Sequence, residues 1–297
     1  MRLARGSGLD GLTAMSASRA MGEETPCTLL RPLLGVAGAR LRSTLIAARR
    51  TWIEDPSNDA DRFERVRLRK ARAMLADLGL TNDKIALSAR RLDRAQQALD
   101  AGVRALQGAV GLDLHDGAFA SFDHAAWQSA PEELRLRLLA RLITSYGGQE
   151  EPLRLAQLEA LAVRMAAPGF DGATLSGAIV NRHGDDIRVF REPGRETQPA
   201  MTLQPGASAV WDRRFRVAAA LNAATGPVVV RALGAKAFAE LRQQLDMPRN
   251  LPAKAAATLP AFWREDELIV VPQFAMLPGA PAGWEAARGL YSAEFIG

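Results

Sequence analysis

The residues in this chain with the clearest chemical potential are four arginines. Arg62, Arg65, Arg69 and Arg72 follow one another at spacings of three, four and three, so on a helix they share one face. A guanidinium is planar, permanently charged and offers paired donors that match the oxygens of a phosphate. Such a stripe is most often a solvated charged face. Here it follows a rigid turn, which suits a phosphate grip better than open water. The turn is Trp52-Ile53-Glu54-Asp55-Pro56-Ser57-Asn58. Pro56 sets its own φ and pushes Asp55 out of the helical region. Asn58, Asp59 and Asp61 can each cap the helix that follows. Leu68, Ala71, Leu75 and Leu78 give that helix a separate apolar seam.

A second candidate lies at the start of the chain. Gly6-Ser7-Gly8-Leu9-Asp10-Gly11 spells a dinucleotide-binding glycine pattern, but only five residues precede it and leave no room for the strand that pattern needs. Two readings stay open. The loop is either flexible backbone beside a ligand, with Arg5 in reach, or a helix C-cap followed by a turn.

Other chemistries find little support. His115, His124 and His183 have no metal-ligand spacing between them, and no C-x-x-C pair exists, so no metal site is expected. There is no G-x-S-x-G elbow for a serine hydrolase. The single cysteine, Cys27, excludes a disulfide framework, fits a reducing cytoplasm and reads as a small buried apolar residue. The five tryptophans are too scattered for a base-stacking platform and read as core or edge residues. No apolar run is long enough to span a membrane, and the N-terminus lacks the apolar core of a signal peptide.

Charge is unevenly distributed. Residues 1–75 hold fourteen Lys and Arg against eight Asp and Glu, an excess of six, while the whole chain is +5. The basic character therefore belongs to the first quarter and points to a polyanionic partner there.

The elements that must position these residues follow from hydrophobic period and punctuation. Residues 1–20 read as a helix end and a loop, and Cys27 to Leu34 as a short buried strand. A helix over 38–50 should turn Leu41, Leu45 and Ile46 inward. Residues 61–165 are mostly helical. Thr81 or Asn82 caps a long helix to about Val110. Ser129-Ala130-Pro131-Glu132 reads as a capping box with proline at N1. A further helix follows Pro152. From Gly169 the period alternates. Residues 173–180 and 186–190 flank His183-Gly184-Asp185 as a hairpin. Residues 192–206 read as a loop and Val210 to Arg216 as a strand. The last part combines a strand at 228–230, a helix from Ala235 to Leu245 and a strand from Glu267 to Val271.

Several of these segments carry a family resemblance. W-I-E-D-P-S-N, an aromatic and then R-x-x-x-R resembles the close of the catalytic domain in bacterial tRNA(Ile)-lysidine synthetases. That family reads R-N-x-[IL]-R where this chain has Arg65-Val66-Arg67-Leu68-Arg69, so Val66 replaces an asparagine. Met1 to Leu12 resembles the family's helix end and glycine loop, and Arg31-Pro32-Leu33-Leu34 its R-P-L-L strand. T-L-x-G followed by V-W-D-x-R-F resembles its proteobacterial members, and L-P-x-x-W-x-x-D-E-L-x-V-V-P its C-terminal domain.

The resemblance implies a PP-loop ATP pyrophosphatase. ATP and Mg2+ would adenylate the C2 oxygen of the wobble cytidine in a tRNA(Ile) with a CAU anticodon, and the ε-amine of free lysine would then displace AMP. It further implies tRNA binding by Arg62, Arg65, Arg69 and Arg31, with Arg5, Gly6 and Gly8 near the active site. The S-G-G-x-D-S loop and the H-x-x-D-[DQ]-x-E-T segment of that group do not occur in this sequence. The expectation is a truncated frame, a misassigned start or one piece of a split gene, with catalytic residues encoded elsewhere. A tRNA-binding module without its own catalysis is the alternative. A homodimer is left open, and no membrane association is expected. The fold expected is α+β. Residues 1–60 would be the remnant of an α/β PP-loop catalytic domain, 61–168 a helical region, 169–225 a β-rich segment and 226–297 a small α/β domain. The apolar faces of residues 1–50 should be incompletely covered.

Overall fold

The computed structural model describes residues 9, 15, 17–21, 27–53, 66–67, 71–194, 198–221 and 226–296. Two compact units divide the chain, residues 1–101 and 102–297.

In the first unit, strands β1 (Ser18–Met21) and β2 (Cys27–Leu30) form an antiparallel hairpin. Residues 18–20 are therefore strand, not part of the loop expected within residues 1–20. Strand β2 stops at Leu30, because Pro32 cannot extend the ladder, and Pro32–Gly35 forms a turn. All four side chains of β2 are exposed, Cys27 included. The expected buried strand is corrected on both length and burial. Helix α1 (Gly38–Ala47) forms where the pattern predicts it, yet none of its residues is buried and Ile46 is 64% exposed. Helix α2 (Arg72–Asp77) is followed by α3 (Asn82–Ala109), which begins at its expected cap.

The second unit is layered. Its first sheet has the order β3-β6-β5-β4, built from Ala120–Asp123, Asp186–Arg191, Ala178–His183 and Gly172–Leu175, all antiparallel. Helices α4 (His124–Ser129), α5 (Glu132–Gly147) and α6 (Leu155–Ala166) accompany it. Leu138, Leu139, Leu142 and Ile143 of α5 enter one core with Val180, Ile187 and Val189 of the sheet and with Val103 and Leu106 from the end of α3. The expected capping box does not form. Pro131 takes the cap position of α5, and the Ser129 hydroxyl donates instead to the Ala126 carbonyl at 2.8 Å, closing α4.

Two further sheets enclose a second core. One has the order β12-β11-β10-β7, from Glu267–Val270, Pro260–Arg264, Val228–Ala232 and Met201–Leu203. The other is β13-β9-β8, from Tyr291–Phe295, Phe215–Ala219 and Ser208–Trp211. Helices α7 (Ala235–Gln244), α8 (Ala253–Ala256) and α9 (Trp284–Leu290) complete this part. Trp211, Trp263 and Trp284 lie in this core, and Trp127 in the first one.

Two expected single strands are hairpins. Ser176 and Gly177, at φ +45° and +74°, separate β4 from β5. Asp212 and Arg213, at +48° and +55°, separate β8 from β9. The left-handed backbone that breaks each strand is a local conformation that the hydrophobic period does not register. The loop expected over 192–206 contains β7.

A candidate tRNA-facing segment and a buried arginine cluster

Of the residues expected to contact tRNA or lie near an active site, Arg31 is the one described; Arg5, Gly6, Gly8, Arg62, Arg65 and Arg69 lie outside the described residues. Arg31 follows β2, and its backbone N–H donates to the Ala17 carbonyl at 2.8 Å, extending the hairpin by one bond. Its side chain is half-buried. Further along, Val66 and Arg67 are helical; Val66 is buried at 2% exposure, and Arg67 is exposed. A valine in this buried position needs no hydrogen-bond partners, whereas an asparagine would. On α1 and just beyond it, Arg40, Arg42, Arg49 and Arg50 are all exposed.

The described motif residues converge in the second unit. Asp212, in the turn between β8 and β9, accepts from Arg214 Nε at 2.8 Å and from Arg191 Nε at 3.2 Å on the same oxygen. Arg191, the last residue of β6, also donates from Nη1 to the Gly177 carbonyl at 3.1 Å. Arg214 donates from Nη2 to the Thr258 carbonyl at 2.6 Å. Its guanidinium sits 5.1 Å from the Phe215 ring centroid and 5.8 Å from that of Trp211. So the T-L-x-G and V-W-D-x-R-F segments, remote in sequence, meet through Arg191. The signal was present in the motifs, but Arg191 belongs to neither and could not be picked out from them.

Two arginines and one carboxylate leave this cluster with an excess positive charge. Burial pulls the Arg214 guanidinium down to about 10, against the pull of Asp212 in the other direction. The same burial drives the Tyr146 phenol upward; its hydroxyl donates to the Leu114 carbonyl at 2.8 Å. Backbone close to the cluster leaves no space for side chains. A Cβ on Gly148 would stand 2.9 Å from the Asp212 carbonyl oxygen, and one on Gly177 2.5 Å from Arg191 Nη1 and from the Gly147 oxygen. The arrangement clamps β6, the 211–215 turn and the Thr258 loop; it has no free nucleophile and reads as structural.

His115 makes a smaller polar lock. Its Nε2 lies 2.7 Å from the Ser121 hydroxyl, and its backbone N–H donates to Asp113 Oδ1 at 2.8 Å. Burial lowers the imidazole pKa in spite of Asp113 beside it. Among the described residues, no group of three or more His, Cys, Asp or Glu is placed to hold a metal. None of the described helices is long and apolar enough to cross a membrane.

These features define an α+β chain whose first segment, residues 1–74, matches the PP-loop domain family. Over 96% of its length the chain is 33% identical to the tRNA(Ile)-lysidine synthase of Ruegeria pomeroyi, covering 64% of that protein. It is 35% identical over 66% of its length to the tRNA(Ile)-lysidine synthase of Bradyrhizobium diazoefficiens, covering 59%. A Wolbachia tRNA(Ile)-lysidine synthase matches at 29% over 72% of the chain, with 49% covered. The chain is similar to tRNA(Ile)-lysidine synthases through nearly its whole length, and it spans about half to two thirds of the length of these relatives.

Proposed function

We propose that this chain takes part in the ATP-dependent ligation of free lysine to the wobble cytidine of a tRNA(Ile) with a CAU anticodon, in the cytoplasm. One observation carries the reading: similarity to proteins named for that product extends through nearly the whole chain, not only its PP-loop segment. The role this chain's own residues suit is gripping RNA. Its first quarter is strongly basic, and its exposed arginines can neutralise backbone phosphates without reading sequence. Arg62, Arg65, Arg69 and Arg31 are the proposed phosphate contacts, with Arg5, Gly6 and Gly8 near the reacting centre.

ATP and Mg2+ need a phosphate-cradling glycine loop and oxygen ligands. The sequence has no S-G-G-x-D-S loop, and the described residues include no acidic group fit for the metal. No step is derived through these groups, and the PP-loop match over residues 1–74 is what supports ATP use. The ligation assay uses the cognate tRNA, ATP and radiolabelled lysine, and reads label in tRNA together with pyrophosphate release. Ligation by the protein supports the reading; no label in the tRNA, or a labelled product other than the tRNA, refutes it. In that protein, Arg65→Ala with Arg69→Ala should weaken tRNA binding and lower the slope of log affinity against log salt by roughly one per lost contact. Unchanged affinity and slope at physiological salt would remove these two arginines from the interface.

A further inference from the structure

A cleft in the second unit has the makings of a ligand site that the reading above does not use. It encloses about 940 Å³, at the upper end of the range for a small-molecule site. One wall is the end of β10 and the first turns of α7, where Ala235, Ala239 and Arg242 fall on one face with Phe238 beneath. A second wall is α8, which brings Lys254. Pro193 and Gln198 also line the cleft.

The charge is one-sided. Arg231, Arg242 and Lys254 line the cleft, and among the described residues no acidic side chain does. Arg231 lies 4.2 Å over the Trp263 ring, and its nearest acid, the fully exposed Asp266, is 3.9 Å away. Arg242 and Lys254 have no ion-pair partner among the described residues. Three like charges around one cavity repel, and an anion placed between them relieves that repulsion. Two further features suit a bound molecule. Helix α7 starts at Gly234 with no side-chain cap, so its first N–H groups are left for a ligand or water. The Gln198 amide nitrogen is enclosed without a hydrogen-bond partner. Between the cations, the alanine-rich walls offer flat apolar surface of the kind that accepts a ring.

From this juxtaposition we infer that the cleft binds one phosphorylated nucleoside, its phosphate held between Arg242, Lys254 and Arg231 and its base against the alanine face of α7. The unit comes either as a free nucleotide or as the terminal nucleotide of an RNA strand. This inference does not rest on the ligation reading, because it concerns binding alone.

The test uses the full chain, AMP, inorganic phosphate and a short 5′-phosphorylated single-stranded RNA, at physiological salt. Saturable binding of AMP, tighter than that of inorganic phosphate and weakened at least tenfold by Arg242→Ala with Lys254→Ala, identifies a free-nucleotide site. Binding of the RNA but not AMP, with the same loss in the variant, identifies a strand-end site. Photolabelling with 8-azido-AMP, or with the RNA carrying 8-azidoadenosine at its end, should then mark peptides between Arg231 and Ala257. Both variant positions are exposed, so the fold is expected to survive, and an unchanged circular dichroism spectrum checks this. Affinity for both probes unchanged in the variant, label confined to other peptides, or no binding of either probe overturns the inference. Loss of lysine ligation with the cleft binding intact would count against the proposed function alone.

Discussion

Leu30, Leu33 and Ile46 in the first unit are 65%, 58% and 64% exposed, whereas Leu138, Leu139 and Ile143 in the second are fully buried. Both regions are written with the same aliphatic vocabulary and the same helical or alternating period. The difference lies in layers. Strands β1 and β2 make a two-stranded ribbon, and among the described residues of 1–101 only Val66 is buried. A two-stranded ribbon has too little surface to bury its side chains by itself. In the second unit the sheets meet helices or one another, and their apolar side chains enter two shared cores. A periodic pattern therefore announces an element but does not guarantee that anything covers its apolar side.

The contrast can be broken or sharpened by mutation. The largest effect is expected at Asp212. Asp212→Ala leaves Arg191 and Arg214 buried with no counter-charge and should destabilise the second unit by about 3–5 kcal/mol, measured by urea unfolding. A loss below about 1 kcal/mol would mean that water or other groups already solvate the pair. Next comes the aliphatic core. Leu142→Ala should cost about 3 kcal/mol, and Ile46→Ala in α1 no more than about 0.5 kcal/mol. Equal losses at the two sites would show that the first unit is covered in solution, and the layer argument would fall. Gly177→Ala should cost about 2 kcal/mol, because its φ of +74° and its close contacts both exclude a Cβ.

The smallest effect is the acid sensitivity of His115. Its folded pKa lies below the ordinary 6.5, so in the window between the two values the unfolded chain binds more protons. Stability should thus fall as pH drops from about 6.5 towards the folded value. His115→Asn should flatten that part of the curve of melting temperature against pH. A curve parallel to that of the unsubstituted protein would assign the titration to another group.

The arginine cluster shows where sequence reasoning stops. Trp211, Asp212, Arg214 and Phe215 stand out as a motif, yet period alone reads them as one strand. The left-handed backbone at Asp212 and Arg213 turns that strand into a hairpin and points the carboxylate at Arg191. Ser129 makes the same point at smaller scale. Its spacing from Glu132 promised a cap, but Pro131 occupied the cap position and the hydroxyl served the preceding helix.

The amino-acid order alone settled the family likeness, the basic first quarter, the long helix from Asn82, the apolar side of α5 and the hairpin at Gly184-Asp185, because each depends on neighbours within a turn or two of the chain. Only the tertiary structure decided which apolar faces are covered, that Val66 is interior, that Arg191 joins two distant motifs on Asp212, and that Arg231, Arg242 and Lys254 surround one cleft. Burial and charge pairing are set by groups far apart in the chain, and no local spacing encodes how those groups meet.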